Sequence, residues 1–184
     1  MIYITSALIA ESSFIIDDFQ LKKSDDTHFS IYENASIKLI ISGIGKINAA
    51  VASTYLLQKY QATKEDKVFN IGTCTSTKSS HAIGEVHQIK KLIDLATNQV
   101  YHLPHEGSTL TCVDKALEGN TGIKSPLADM ESVGFYLAVK RFIKNEHIMI
   151  VKVISDEMES KIPKSDDIKR LFSQHSKTIG ALLS

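Results

Sequence analysis

With 184 residues, 43% of them hydrophobic, the chain can bury a sizeable core, and it reads as one domain over 1–184. Acids and bases balance at 21 each, which gives no electrostatic footprint for nucleic acid or for an anionic membrane surface. No apolar run reaches bilayer length, no basic leader with a cleavage pattern opens the chain, and Cys74 and Cys112 lack disulfide-framework or metal-ligand spacing, so a soluble, cytoplasmic protein with reduced core thiols is expected.

In chain order, Met1 to Leu8 reads as a strand and Glu11 to Phe19 as a helix. Ser30 to Glu33 and Ile37 to Ser42 form a hairpin pair around Asn34. Lys46 to Tyr60 is expected as a helix that packs Ile47, Ala50, Val51, Thr54 and Leu57 on a sheet. Val68 to Ile71 follows as a buried strand, and Thr73 to His81 as a polar loop. Val86 to Ile93 and Gln99 to His102 read as antiparallel or edge strands, broken by the segment around Pro104, and Leu110 to Val113 resumes the sheet. After a loop at 118–122 comes Pro126-Leu127-Ala128, then a helix from Glu131 to Ile143 with Gly134, Leu137, Ala138 and Arg141 on one face. The apolar run Ile148 to Ile154 reads as a strand buried on both faces that ends in Ser155 and Asp156. Ile168, Phe172, Ile179 and Leu183 mark the inner stripe of a closing helix. Alternating elements of this kind predict a mixed sheet between helices.

Three acids stand at strand exits or helix starts: Glu11, Glu131 and Asp156. In open α/β sheets ligands bind at the carboxyl ends of strands, so the three are expected to meet in one polar site. Each also has a bland explanation. Glu11 and Glu131 are first-turn acids that would complement a helix dipole, and Asp156 could cap a turn. Ser42-Gly43-Ile44-Gly45-Lys46 contains a GxG but completes neither a dinucleotide fingerprint nor a phosphate-binding P-loop; what remains is a turn whose amides could approach a ligand, or a tight turn without one. His102 and His105 flank Pro104 in a loop with no third ligand at usual spacing, so no metal and no cofactor are expected.

The ordered set Ser42-Gly43-Ile44-Gly45-Lys46-Ile47-Asn48-Ala49-Ala50, Asn70-Ile71-Gly72-Thr73, Asp129-Met130-Glu131-Ser132 and Ile154-Ser155-Asp156 resembles the motifs of the purine nucleoside phosphorylase/nucleosidase superfamily. The likeness covers nearly the whole chain and is greatest to 5′-methylthioadenosine/S-adenosylhomocysteine nucleosidases. It implies a three-layer α/β/α fold with a central mixed, partly barrel-like sheet. It also implies cleavage of the N-ribosidic bond of a purine nucleoside, and a homodimer. On this resemblance Asp156 would share a proton with purine N7 and Glu11 would polarise the attacking water. Glu131 would accept hydrogen bonds from the ribose 2′- and 3′-hydroxyls, and Met130 would pack under the sugar. Ser155, Thr73 and Lys152 would complete the substrate site, Lys152 standing where these nucleosidases usually have Arg.

Water is the expected nucleophile, because a phosphorylase holds phosphate with bidentate arginines, and the only two here, Arg141 and Arg170, are placed in helices away from the glycine turns. Phosphate-dependent cleavage and a non-catalytic nucleoside-binding homologue are the alternatives. Thr73-Cys74-Thr75-Ser76-Thr77 is bulkier than the family's small-residue loop, and the region from Gly107 to Leu127 is shorter. Leu110 to Leu117 stands where an aromatic usually stacks on the base, which opens the site to another purine nucleoside, such as an aminodeoxyfutalosine-like one.

Overall fold

The computed structural model describes residues 1–77, 81–116, 123–157 and 163–183. Its central layer is built on three parallel strands, β1 (Ile2–Ser6), β5 (Lys67–Ser76) and β10 (Ile148–Asp156), with β1 also paired to parallel β4 (Ile37–Ile41). Their apolar residues are covered on both faces. Side chains alternate between two cores. Tyr3, Val68 and Ile150 enter one, while Ile4, Phe69 and Val151 enter the other.

Helices α2 (Lys46–Lys59) and α3 (Ser132–Val139) cover the first face. Helices α1 (Ile9–Asp18), α4 (Ser165–Gln174) and α5 (Ser176–Leu182) cover the second. The Phe172 ring of α4 stacks on Phe14 of α1 at 6.2 Å. Full burial of such a side chain is worth about 1.5–3 kcal/mol, whereas the Arg170–Asp167 pair on the outer face of α4 is exposed and screened. The apolar stripe, not the ion pair, seats α4.

The sheet also closes on itself. Strand β10 pairs antiparallel with β6 (Val86–Asp94), β6 parallel with β8 (Ser108–Cys112), β8 parallel with β9 (Leu127–Asp129), and β9 antiparallel with β5, which returns to β10. Beyond β4, β3 (Ser30–Glu33) and β2 (Lys22–Lys23) extend the open side, and β7 (Val100–His102) hangs from β6. The architecture is the mixed sheet between helices that the alternating elements predict, in the three-layer α/β/α, partly barrel-like form that the resemblance implies.

Several local expectations differ. The stretch Thr73–Ser76 is strand, not loop, because Thr73 and Cys74 pair with Val153 and Ile154, and Thr75 and Ser76 pair with Ala128 and Leu127. The predicted stripe of α2 is largely outside: Ile47 is 79% and Val51 54% exposed, and of the five residues only Leu57 is buried. The inner face carries Ala49, Ala52, Ser53 and Leu56 instead. The reason is a close helix crossing. A Cβ on Gly134 of α3 would stand 1.9 Å from the Lys46 carbonyl oxygen, so small residues are needed where the helices meet. In α3, Gly134 is buried, but Leu137 and Ala138 are only half-buried and Arg141 is exposed beyond the helix end; Val133, Phe135, Tyr136 and Val139 face the core. The closing helix is two, divided at His175, with Ile168, Phe172, Ile179 and Leu183 all buried. The loop expected at 118–122 lies outside the described residues.

Candidate active site

Ser6 ends β1 and α1 begins three residues later, which makes Glu11 the third residue of that helix. Its Oε2 accepts the Leu8 N–H at 2.9 Å, the reciprocal half of a capping box, so the dipole role is real. That role does not exhaust the carboxylate. Oε1 accepts the Thr73 N–H at 2.8 Å and the Thr73 hydroxyl at 2.9 Å, tying α1 to β5. The Ser6 hydroxyl lies 3.2 Å from Oε2, but it has one proton and the Ile71 carbonyl stands at 2.9 Å. Oε2 therefore keeps a lone pair for a further donor, although Glu11 as a whole is 2% exposed.

Glu131 directly precedes α3, and its Oε1 accepts the Gly45 N–H at 2.9 Å. The tight α2–α3 crossing at Gly134 makes this contact possible. One amide of the glycine turn is thus spent on a carboxylate of the protein. Burial pushes the Glu131 carboxyl up to about 7, with the neighbouring Asp129 and Glu11 charges adding to the shift and Lys152 and the Gly45 amide opposing it.

Asp156 ends β10 just past a register irregularity between Ile154 and Asp156, a local device that re-aims a side chain at a sheet end. The Ser155 hydroxyl donates to its Oδ2 at 2.7 Å, and the Thr75 hydroxyl donates to its backbone carbonyl at 3.2 Å. Both side chains are half-buried.

Glu11, Thr73, Glu131, Ser155 and Asp156 all border one cleft of about 220 Å³, whose apolar walls include Leu8, Ile44, Val113 and Met130. Lys152 does not border it. Its Nζ lies beneath, 2.8 Å from Asp129 Oδ2, in a pair whose side chains are 1% and 0% exposed. Burial alone would lower the Lys152 pKa, but the surrounding Asp129, Glu131 and Glu11 carboxylates outweigh it, and the net shift is upward. A Cβ on Gly72 would come within 3.2 Å of Lys152 Nζ and 3.3 Å of Glu11 Oε1, so the bare backbone there lets cation and carboxylate share the space.

Asp129 is the participant that sequence reasoning passed over. It borders the cleft, takes the Lys152 ammonium and the Ser132 N–H at 3.0 Å on Oδ2, and its buried Oδ1 has no hydrogen-bond partner among the described residues. The signal available was the spacing Asp129-x-x-Ser132 at a helix start. Cys74 also borders the cleft, and burial pushes its thiol well above the ordinary range, which leaves no thiolate for nucleophilic chemistry at neutral pH. From the segment Leu110 to Leu117 the cleft receives Val113 and Ala116, and none of the described residues bordering it is aromatic.

No protein-family model matches the chain. A stretch of 55 residues is 40% identical to the 5′-methylthioadenosine/S-adenosylhomocysteine nucleosidase of Bacillus subtilis (strain 168), covering 30% of this chain and 22% of that protein. Among solved structures, the Arabidopsis thaliana 5′-methylthioadenosine nucleosidase in apo form aligns over 99% of this chain and 93% of its own at a TM-score of 0.81 and 14% identity. A futalosine hydrolase mutant of Helicobacter pylori strain 26695 aligns over 99% and 97% at a TM-score of 0.78 and 14% identity. With a closed sheet, flanking helices and cleft built as described, the chain has the fold of the purine nucleoside phosphorylase/nucleosidase superfamily, in the form seen in the 5′-methylthioadenosine nucleosidases.

Proposed function

We propose that the protein hydrolyses the N-ribosidic bond of a purine nucleoside, 5′-methylthioadenosine/S-adenosylhomocysteine-like or related, and releases the free base. The observation that carries this reading is the meeting of Glu11, Glu131 and Asp156 at one cleft although 145 positions separate the first from the last (156 minus 11). Cleavage passes through an oxocarbenium-like state, so the base must leave neutral and the sugar must be held while positive charge grows on it. Asp156, oriented by the Ser155 hydroxyl, delivers a proton to purine N7. Glu11, held by Thr73 and Leu8, uses the remaining lone pair of Oε2 to polarise a water. Glu131 accepts from the ribose hydroxyls, and Met130 supplies apolar contact under the sugar. Lys152 works from below, through Asp129 and the shared field of the three acids, without touching substrate. A fixed cation there limits the mutual repulsion of carboxylates in a poorly solvated site.

Water is the nucleophile in this reading, since Arg170 is exposed on the outer face of α4 and Arg141 is exposed past the end of α3. The test is base release over a panel of purine nucleosides, with and without phosphate. Free base and ribose with a reducing end are expected, at a rate that phosphate does not raise; ribose 1-phosphate as the main product would replace this reading with phosphorolysis, and no release from any nucleoside would leave a binding protein.

We further infer a cytoplasmic homodimer acting on a small molecule without nucleic acid or membrane. The two cysteines are free and buried, and no helix of the described residues is long and apolar enough to cross a membrane. Ile44, Ile47 and Val51, respectively 53%, 79% and 54% exposed, form an apolar strip from the rim of the cleft along α2 that a second copy would cover. Ile47→Asp is expected to keep the far-UV circular dichroism and convert a dimer to a monomer in sedimentation velocity. A wild-type chain that sediments as a monomer would remove the inference.

A further inference from the structure

The described part of the chain holds one cluster of metal-ligating side chains, outside the cleft: His81, Glu85 and His87, whose ligand atoms all lie within 4.8 Å of one another. His81 and Glu85 belong to the turn that leads into β6, and His87 is the second residue of that strand. Glu85 Oε2 stands between the rings, 3.0 Å from His81 Nδ1 and 3.2 Å from His87 Nε2. Ligands bonded to a tetrahedral Zn²⁺ at 2.0–2.1 Å are themselves roughly 3.3 Å apart, which the two separations from Glu85 Oε2 already approach, while the two imidazole nitrogens lie within 4.8 Å of each other.

The supporting contacts fit ligation as well. His87 Nδ1 meets the Ser108 hydroxyl at 2.9 Å, which turns Nε2 toward the cluster. Glu85 Oε1 accepts the Ala82 N–H at 3.0 Å, which leaves Oε2 as the ligating oxygen. The rings cross at 87° with centroids 5.0 Å apart, so they present two different nitrogens without stacking.

We propose that His81, Glu85 and His87 form a binding site for a divalent transition-metal ion of the Zn²⁺ class, with two imidazoles and one carboxylate as protein ligands and water completing the shell. The site braces the edge of the active centre. The Gly84 N–H donates to the Ile154 carbonyl at 2.8 Å and the Ile154 N–H to the Glu85 carbonyl at 3.0 Å, and Ile154 directly precedes Ser155 and Asp156. An ion holding the turn 81–85 on β6 therefore steadies the end of β10.

The test uses the full chain without a histidine tag, stripped with EDTA, desalted and titrated with ZnSO₄ by calorimetry, with CoCl₂ absorption as the spectroscopic readout. Saturable binding near one ion per chain is expected. His81→Ala, at a part-exposed position where folding is not at stake, is expected to weaken binding by about tenfold or more, as is Glu85→Gln. At Zn²⁺ concentrations about a hundredfold above the wild-type dissociation constant, the wild-type melting temperature should rise by about 5–10 °C, and that of His81→Ala by no more than about half as much. Absence of saturable heat in the wild type, or undiminished affinity in both variants, would show the cluster to be a hydrogen-bonded His–Glu–His network only.

Discussion

Asp156→Asn is expected to lower base release by roughly 10²–10⁴-fold, the range a general acid supplies, while the melting temperature stays close to that of the wild type. Asparagine keeps the volume of Asp156 and can still accept the Ser155 hydroxyl through its amide oxygen. What it cannot do is deliver a proton to a leaving purine. The side chain is half-buried at a strand end, so the change neither opens a cavity nor buries an unpaired charge. Activity within a few fold of wild type, measured by release of free base under single-turnover conditions, would remove Asp156 from the role.

Glu11→Gln should behave differently, because the carboxylate proposed to polarise water is also structural. Both of its oxygens accept backbone N–H groups, Thr73 at 2.8 Å on Oε1 and Leu8 at 2.9 Å on Oε2. A carboxamide turns one of those oxygens into a donor that faces a donor. The mismatch costs about 1–3 kcal/mol, or a melting temperature lower by roughly 2–12 °C. Base release, measured well below that temperature, should still fall by about 10²-fold or more, since the lone pair that polarises water is weakened. The two variants thus separate by stability: both lose turnover, and only Glu11→Gln loses thermal resistance. A Glu11→Gln protein that melts lower yet turns over within a few fold of wild type would reduce Glu11 to a helix cap.

On the sequence the capping explanation of Glu11 and the functional one are alternatives, but the structure has the carboxylate cap its helix while bordering the cleft, so the first role does not exclude the second. A residue at the third position of a helix that starts where a strand stops faces the helix amides on one side and the strand exits on the other. The same holds for Glu131, which heads α3 and receives an amide from the glycine turn. Sequence spacing locates such residues without telling which neighbours will share them.

The apolar runs Ile2 to Ser6, Val68 to Ile71 and Ile148 to Ile154 were legible as strands, and Asp156 as a strand-end acid, because burial on both faces demands continuous hydrophobicity and a polar residue then marks the exit. The faces of α2 and α3 were not legible. Hydrophobic spacing favours Ile47 and Val51, but the crossing at Gly134 requires small side chains inward, and that constraint belongs to a second helix 75 residues or more along the chain (134 minus 59). The extension of β5 through Ser76 was likewise hidden, since polar Thr73 and Thr75 become strand only when β10 and β9 offer backbone partners on either side. For the same reason Lys152 read as a cation at the substrate, whereas packing places its ammonium under the cleft on Asp129. Local chemistry and periodicity are properties of neighbouring residues and survive in the sequence. Pairing of buried charges, choice of helix face and closure of the sheet depend on which distant segments meet, and that is settled by the free energy of packing the whole chain.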